Sequence, residues 1–363
     1  MAGDRGHPPP EIRRGQDDVR LSREEFTRRY RQQFHDPAFD SLQPEIERLA
    51  AAAWDGYENS RKSPRTVKAG PGFADPNYDL SVEWLATRRA IESAQHHHDD
   101  TEGPSRVLAI SCAARHDQTC PGEMPKSFRL IRIAQEVLES EGIEVDRLDL
   151  SQLNAQYGRR ILPCKACVST AMPLCHWPCS CYPNHSLGQV QDWMNELYPR
   201  FVAAHGILFV TPVYWYQSPS VLKLLMDRLV CADGGNPDPT TTQGKDPKLA
   251  KQLELSGWSY PRYLAGRAFA VVVHGDAAGA ETQRRSLVDW LTDMSLVQAG
   301  DAGVLDRYVG YYGTYARSHE ALDEDTAFQE ETRNAARALA KAVGFARHGL
   351  PQPDAGLEDP RPK

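Results

Sequence analysis

Three things are scarce in this chain of 363 residues. There is no basic surplus: 42 Lys and Arg face 49 Asp and Glu, a formal charge of −7, which argues against a nucleic-acid binder, since such proteins carry an excess of cations. There is no apolar run of the length a membrane span needs, and the N-terminus lacks a signal peptide's apolar core. A cytoplasmic protein without membrane attachment is therefore expected. In that compartment the eight cysteines are more readily reduced, metal-bound or redox-active than structural disulfides. What is present, 40% hydrophobic and 25% charged residues, is the composition of a soluble globular protein with room for one large domain or two.

The first hundred residues carry no chemical motif. Residues 1–20 are polar with a triple proline and read as disordered, and 21–103 read as a helical extension. Ser22-Arg23-Glu24-Glu25 has capping-box form ahead of Phe26 and Tyr30. A second helix is predicted over Leu42 to Tyr57, and Ser81 is a candidate cap for a third carrying Val82, Trp84, Leu85 and Ile91. Between them Ser63 to Tyr78, with its prolines and glycines, reads as a loop. The aromatic residues of these helices imply packing on the following domain or on a second subunit. His96-His97-His98-Asp99-Asp100 reads as a solvated linker rather than a metal site.

Residues 104–349 alternate between apolar runs and helical stripes, and 350–363 read as a disordered tail. Strands are predicted at Arg106 to Ser111, Ile143 to Leu150, Ile207 to Val210, Arg267 to His274, and within Val304 to Tyr312. Helices are predicted at Ser127 to Glu141, Leu187 to Val202, from Ser218, at Glu281 to Met294, and at Phe328 to Val343. That alternation implies an α/β fold with a parallel sheet covered on both faces. The stretch His205 to Arg228 organises it. An apolar strand leads through Pro212-Val213-Tyr214-Trp215-Tyr216-Gln217 into a helix started by Ser218 and Pro219. Three adjacent aromatics in a strand-to-helix turn, at the edge where open parallel sheets bind ligands, suit a flat ring system.

Pro212-Val213-Tyr214-Trp215, followed by Lys223 and Asp227-Arg228, resembles the signature of the flavodoxin-like NAD(P)H-dependent FMN reductases. The resemblance runs from about Ser105 to Gly349. It implies a flavodoxin-like, doubly wound, five-stranded parallel sheet of order 2-1-3-4-5, with FMN resting on Pro212, Val213, Tyr214, Trp215 and Tyr216. At the first strand's end, Ser111, Ala113 and Arg115, with Ser127 entering the next helix, resemble the family's phosphate loop. A hydroxyl, a guanidinium and free helix N–H groups suit a phosphate dianion. The usual glycines after Ser111 are missing, and His116 to Lys126 looks like an insertion. In relatives the loop matching His274-Gly275-Asp276 closes over the ring's polar edge. His274 is either a proton donor or a buried, satisfied histidine.

Cys164, Cys167, Cys175, Cys179 and Cys181 fall in a proline-rich loop. Three readings stand: zinc or an iron–sulfur cluster, unligated thiols lining the active site, or a disulfide pair with free thiols. Iron–sulfur flavoproteins of the same fold look similar here, although Thr170 sits where their third cysteine is expected. Asp233 to Pro247 lacks periodicity and reads as a long loop, either a lid or a passive surface segment.

The resemblance implies an enzyme in which NAD(P)H reduces bound FMN and the flavin then reduces a small-molecule electron acceptor such as a quinone or free flavin. A homodimer or homotetramer is expected. No catalytic triad or carboxylate couple is legible, and flavin chemistry requires none. The alternatives are an iron–sulfur flavoprotein relaying electrons between protein partners, and a non-enzymatic flavodoxin-like binding module.

Overall fold

A computed structural model describes residues 11–59, 65–167, 171–176, 192–257, 260–311 and 313–349. In chain order its helices are α1 (Arg23–Arg31), α2 (Gln43–Glu58), α3 (Val82–Asp99), α4 (Lys126–Ser140), α5 (Gln152–Ala155), α6 (Met194–Ala203), α7 (Ser220–Asp233), α8 (Pro247–Leu255), α9 (Ala280–Asp293), α10 (Ser318–Glu324) and α11 (Thr326–Arg347). Its strands are β1 (Thr66–Lys68), β2 (Asp79–Ser81), β3 (Arg106–Ser111), β4 (Glu144–Asp149), β5 (Gly206–Pro212), β6 (Ala268–Gly275), β7 (Val297–Gln298) and β8 (Val304–Tyr308). The chain forms two compact units: Met1–Arg88 with Lys165–Asp192 and Gly234–Tyr260, and Arg89–Cys164 with Trp193–Asp233 and Pro261–Lys363.

In the first unit the helix starts follow their local signals. The Ser22 hydroxyl accepts from the Glu25 N–H at 3.2 Å, and the Ser81 hydroxyl accepts from that of Trp84 at 3.3 Å. Phe26 stands 4.7 Å from Tyr57 and 5.5 Å from Trp54, so the aromatic stripes of α1 and α2 meet. The Gly- and Pro-rich segment is not wholly loop: β1 and β2 pair antiparallel, and its turns connect them. The Asp233–Pro247 stretch is likewise more structured than its composition suggests. A 3₁₀ turn covers Pro239–Thr242, and the Asp238 carboxylate accepts from the backbone N–H groups of Thr240 and Ala74. Tyr78, Trp84, His176, Gln243 and Lys245 line a cavity of about 650 Å³ within this unit.

The second unit is the sheet. Its order is β4-β3-β5-β6, with β7 and β8 both on the far side of β6 and every pairing parallel. Counted within the sheet this is 2-1-3-4-5, so the fold is the doubly wound, flavodoxin-like α/β arrangement. The fifth place differs from a single strand. β7 pairs with Ala268 and Phe269, a 3₁₀ turn at Asp301–Gly303 intervenes, and β8 pairs with Val271 to Gly275. On one face Leu130, Ala134 and Leu138 of α4 and Phe328 and Leu339 of α11 pack with Val107, Ala109, Leu208 and Val272. On the other, Phe209 meets Phe201 of α6 and Trp290 of α9. Burial of both faces explains the uninterrupted apolar strands.

Two local differences stand out. His96 to His98 do not form a linker: α3 continues through Asp99, where Gln95 bonds the Asp99 carboxylate at 2.8 Å and His98 stacks on His205 at 4.9 Å. Arg228, although charged, is buried in α7 on the face of Leu225 and Leu229 and donates to the Leu162 carbonyl at 2.9 Å. Of the helix expected from Leu187, residues 187–191 lie outside the described set, as do residues 1–10 of the stretch 1–20 expected to be disordered and the tail 350–363.

Candidate functional site

Connectivity fixes where a ligand belongs. The chain passes from β3 out to β4, then returns across β3 to β5, so the loops after β3 and β5 diverge at the sheet's carboxyl edge. The register brings Ser111 opposite Val210, and Pro212 opposite His274. Neighbouring strands thus end within a residue or two of one another.

At the end of β3, Ser111 is buried and its hydroxyl has no hydrogen-bond partner. Ala113 is buried, and Cys112 is a filler: its Sγ donates to the Ile110 carbonyl at 3.6 Å, and burial pushes its thiol far above the ordinary range. The helix α4 opens after Pro125 without a side-chain cap, and within its first turn the Phe128 N–H donates to the Pro125 carbonyl at 3.1 Å. Its first residue, Lys126, is 6% exposed. A lysine here opposes the helix dipole and is desolvated, two unfavourable terms that an anion would reverse. Burial and Arg115 lower its affinity for a proton, while Asp276 and Glu123 act the other way. Arg115 and Lys126 both lie against Tyr315, at 4.9 and 5.5 Å from its ring centre. Ser127 is fully buried, its hydroxyl 2.8 Å from His274 Nε2.

The turn after β5 is a hairpin-like reversal. The N–H of Tyr214 donates to the Gln217 carbonyl at 2.9 Å and that of Gln217 to Tyr214 at 3.0 Å. Trp215 and Tyr216 between them have φ of 48° and 67°. Two consecutive left-handed residues make a type I′ turn, usually built from Asn and Gly, so a pair of bulky aromatics here is strained. Trp215 is 92% exposed and Tyr216 63%. Tyr214 is half-buried, its hydroxyl facing the Ala114 backbone of the β3 loop. Pro212 and Val213 are buried, and the Val213 N–H donates to the His274 carbonyl at 2.9 Å.

The third wall follows β6. His274 is buried, and desolvation first, then Lys126 and Arg115, push its pKa down to about 3. It is a neutral imidazole that orients Ser127 rather than a proton donor working near neutrality, and its Nδ1 has no partner. Gly275 is buried beside Val213, and Asp276 is half-buried near Lys126. Gly279, at φ 114°, comes so close that a Cβ there would lie 2.7 Å from the Tyr216 Cα. Only glycine lets the two loops meet. Ser111, Ala113, Arg115, Ser127, Pro212, Val213, Tyr214, Trp215, Tyr216, His274, Gly275 and Asp276 thus gather at one sheet edge.

Sequence reasoning missed Lys126, Tyr315, Tyr308, which accepts from the Gly279 N–H at 3.3 Å, and His319, bonded to Met124 and Arg129. Lys126 immediately precedes Ser127 and was the legible one. The cysteine run does not assemble in the same way. Cys164 belongs to the sheet unit, where its Sγ lies 3.2 Å from that of Cys231. Cys167 and Cys175 belong to the first unit, and Cys179 and Cys181 lie outside the described residues. Among the described residues no three metal-capable side chains converge.

Known proteins bear on this geometry. A curated relative, an iron–sulfur flavoprotein of Methanosarcina thermophila, is 30% identical over 125 residues, which is 34% of this chain and 52% of the relative. The chain thus spans about half the length of that relative. Among solved structures, RosB with a bound riboflavin-phosphate intermediate is similar at 13% identity and TM-score 0.48, covering 69% of this chain and 83% of that one. An NAD(P)H:quinone oxidoreductase from Methanothermobacter marburgensis is similar at 15% identity and TM-score 0.38, covering 65% and 94%. The family model for NADPH-dependent FMN reductase matches residues 105–308, from just before β3 through β8. With more than half of the chain matched and the site at the end of β3 and β5 inside that span, the chain belongs to the NADPH-dependent FMN reductase family.

Proposed function

We propose that this protein is an FMN-dependent oxidoreductase that takes reducing equivalents from NAD(P)H and delivers them to a small acceptor such as a quinone or free flavin. The observation that carries the reading is the anion cradle at the β3–α4 junction: an orphaned buried Ser111 hydroxyl, an uncapped helix start, and two cations, one of them buried. These groups fit a phosphate monoester, and the exposed aromatic turn beside them fits a planar ring. Ser111, Arg115, Lys126 and Ser127 would hold the phosphate of FMN. Pro212 to Tyr216 and Gly275-Asp276 would bound its ring system.

When bound, the flavin supplies two-electron hydride acceptance and donation. The chain's own part is binding and orientation. Neutral His274 fixes the Ser127 hydroxyl, and Gln283 steadies the β5 end by donating to Thr211 and Pro212. Trp215 and Tyr216 present flat apolar surface to whatever stacks beside the cofactor. The acceptor in this reading is a small molecule and not a nucleic acid, the working form is a homodimer or homotetramer, and the compartment is the cytoplasm. No helix among the described residues is long and apolar enough to cross a membrane.

The test is an absorption spectrum of the FMN-reconstituted protein before and after NADPH under nitrogen. Bleaching of the flavin bands, restored by a quinone, is expected. A protein that retains no FMN after desalting ends the reading. The cysteine run and the iron–sulfur relative favour a second reading, electron relay through a cluster. Iron and sulfide analysis of anaerobically purified protein separates the two.

A further inference from the structure

We propose that Cys164 and Cys231 are a redox-active thiol pair, oxidised by hydroperoxides to a reversible disulfide, independent of the flavin site. The two Sγ atoms lie 3.2 Å apart and sixty-seven residues apart in sequence. A disulfide needs about 2.05 Å, so the sulfurs close by about 1.2 Å. The surroundings hold them in register. Ile161 to Cys164 is a strap without helix or strand structure, and the buried Arg228 side chain donates to the Leu162 carbonyl at 2.9 Å. Arg228 and Cys231 are three apart and share a face of α7, so the strap is fixed to the helix at one point and presents its thiol at the next. Exposure divides the roles. Cys164 is half-buried, whereas Cys231 is 5% exposed.

Chemically, the Cys164 thiolate attacks the peroxide and the O–O bond breaks. One oxygen leaves as alcohol or water and the other stays on sulfur as a sulfenic acid. The Cys231 thiolate then attacks Cys164 Sγ, the S–O bond breaks, an S–S bond forms, and water departs. Two thiols and one hydroperoxide thus give one disulfide, one alcohol and one water, the two electrons passing from sulfur to the peroxide oxygens. Cys231 stands eleven residues into α7, about 16 Å along its axis from the helix start beside the aromatic turn, so the couple works apart from the ring site.

The experiment treats the full-length, FMN-loaded wild-type protein with stoichiometric hydrogen peroxide, blocks remaining thiols, and maps its peptides without reduction. The expected result is a Cys164–Cys231 cross-linked peptide, a 2 Da loss, and a melting temperature raised by several degrees, because the bond closes a long loop. Dithiothreitol should reverse all three. Cys231→Ala should halt at a Cys164 sulfenic acid trapped by dimedone, and Cys164→Ser should give no such adduct. A bond from either residue to another cysteine, or both thiols remaining alkylatable after peroxide, overturns the proposal. The wild-type peptide map decides even if a variant fails to fold.

Discussion

The two ends of the same sheet treat buried polar groups in opposite ways. At the amino edge, His205 uses both ring nitrogens, Nδ1 accepting from the Arg106 N–H at 3.0 Å and Nε2 bonding the His98 carbonyl at 3.1 Å. Arg347 reaches the Ser105 hydroxyl and the carbonyls of Asp100, Thr101 and Gly103, all within 3.0 Å. Arg267 donates to Gln95 and Val202, with only its Nε left over. At the carboxyl edge, Ser111 Oγ, His274 Nδ1 and Gln283 Oε1 are buried and unmatched, a lysine opposes a helix dipole, and two aromatics hold left-handed backbone. A polar network made for stability completes its hydrogen bonds, whereas one made for a ligand keeps them open. The contrast supports the division of roles proposed above.

The largest effect should come from removing the cations. Arg115→Ala with Lys126→Ala should weaken FMN binding roughly a thousandfold, at about 1.5–3 kcal/mol per charged contact, while leaving the melting temperature of the flavin-free protein unchanged or higher. Fluorescence titration beside thermal melts checks both halves. Acid should then erode both edges. The folded-state pKa values of His205 and His274 are depressed to about 4 and about 3, against an ordinary 6.5. The unfolded chain therefore binds more protons below pH 6.5. Stability is full above that pH and falls as pH drops toward 4, by up to about 1.4 kcal/mol per histidine per pH unit. Denaturant melts across pH 4 to 7 measure the slope, and His205→Gln should roughly halve it.

Arg347→Ala should cost about 2 kcal/mol of stability and leave FMN affinity within about twofold, the reverse of the cation pair. Ser111→Ala should weaken FMN about tenfold, worth about 1.4 kcal/mol, with the flavin-free protein no less stable. Tyr216→Gly should stabilise the flavin-free protein by about 1 kcal/mol through relief of its left-handed backbone, and slow turnover. A Ser111→Ala protein that melts markedly lower would break the comparison, because it would show the hydroxyl to be structural.

The central strands β3, β5 and β6 were the most legible part of the chain, because burial on both faces leaves an unbroken apolar run. The aromatic turn was legible too, since its residues are contiguous. What escaped depends on contacts between distant positions. Tyr315 enters the cradle only because the segment after β8 returns to the β3 loop, and nothing around it in sequence announces that return. The partner of buried Arg228 is a carbonyl in the distant strap, which nothing within α7 announces. The histidine run looked like a linker because its neighbours are polar, yet His98 has His205 to stack on. Composition reports the average environment of a stretch, and one well-placed partner can override it.

The divided fifth position has a consequence for how copies of this chain meet in solution. An uninterrupted outer strand would offer a row of open amides to any other exposed strand. Here β7 is two residues long, the chain turns away at Asp301–Gly303, and β8 adds only five. The opposite border, β4, carries Glu144, Asp146 and Arg147, charges that discourage a dry seam. With both borders blunted, the flavin-free chain is guarded against strand-to-strand polymerisation.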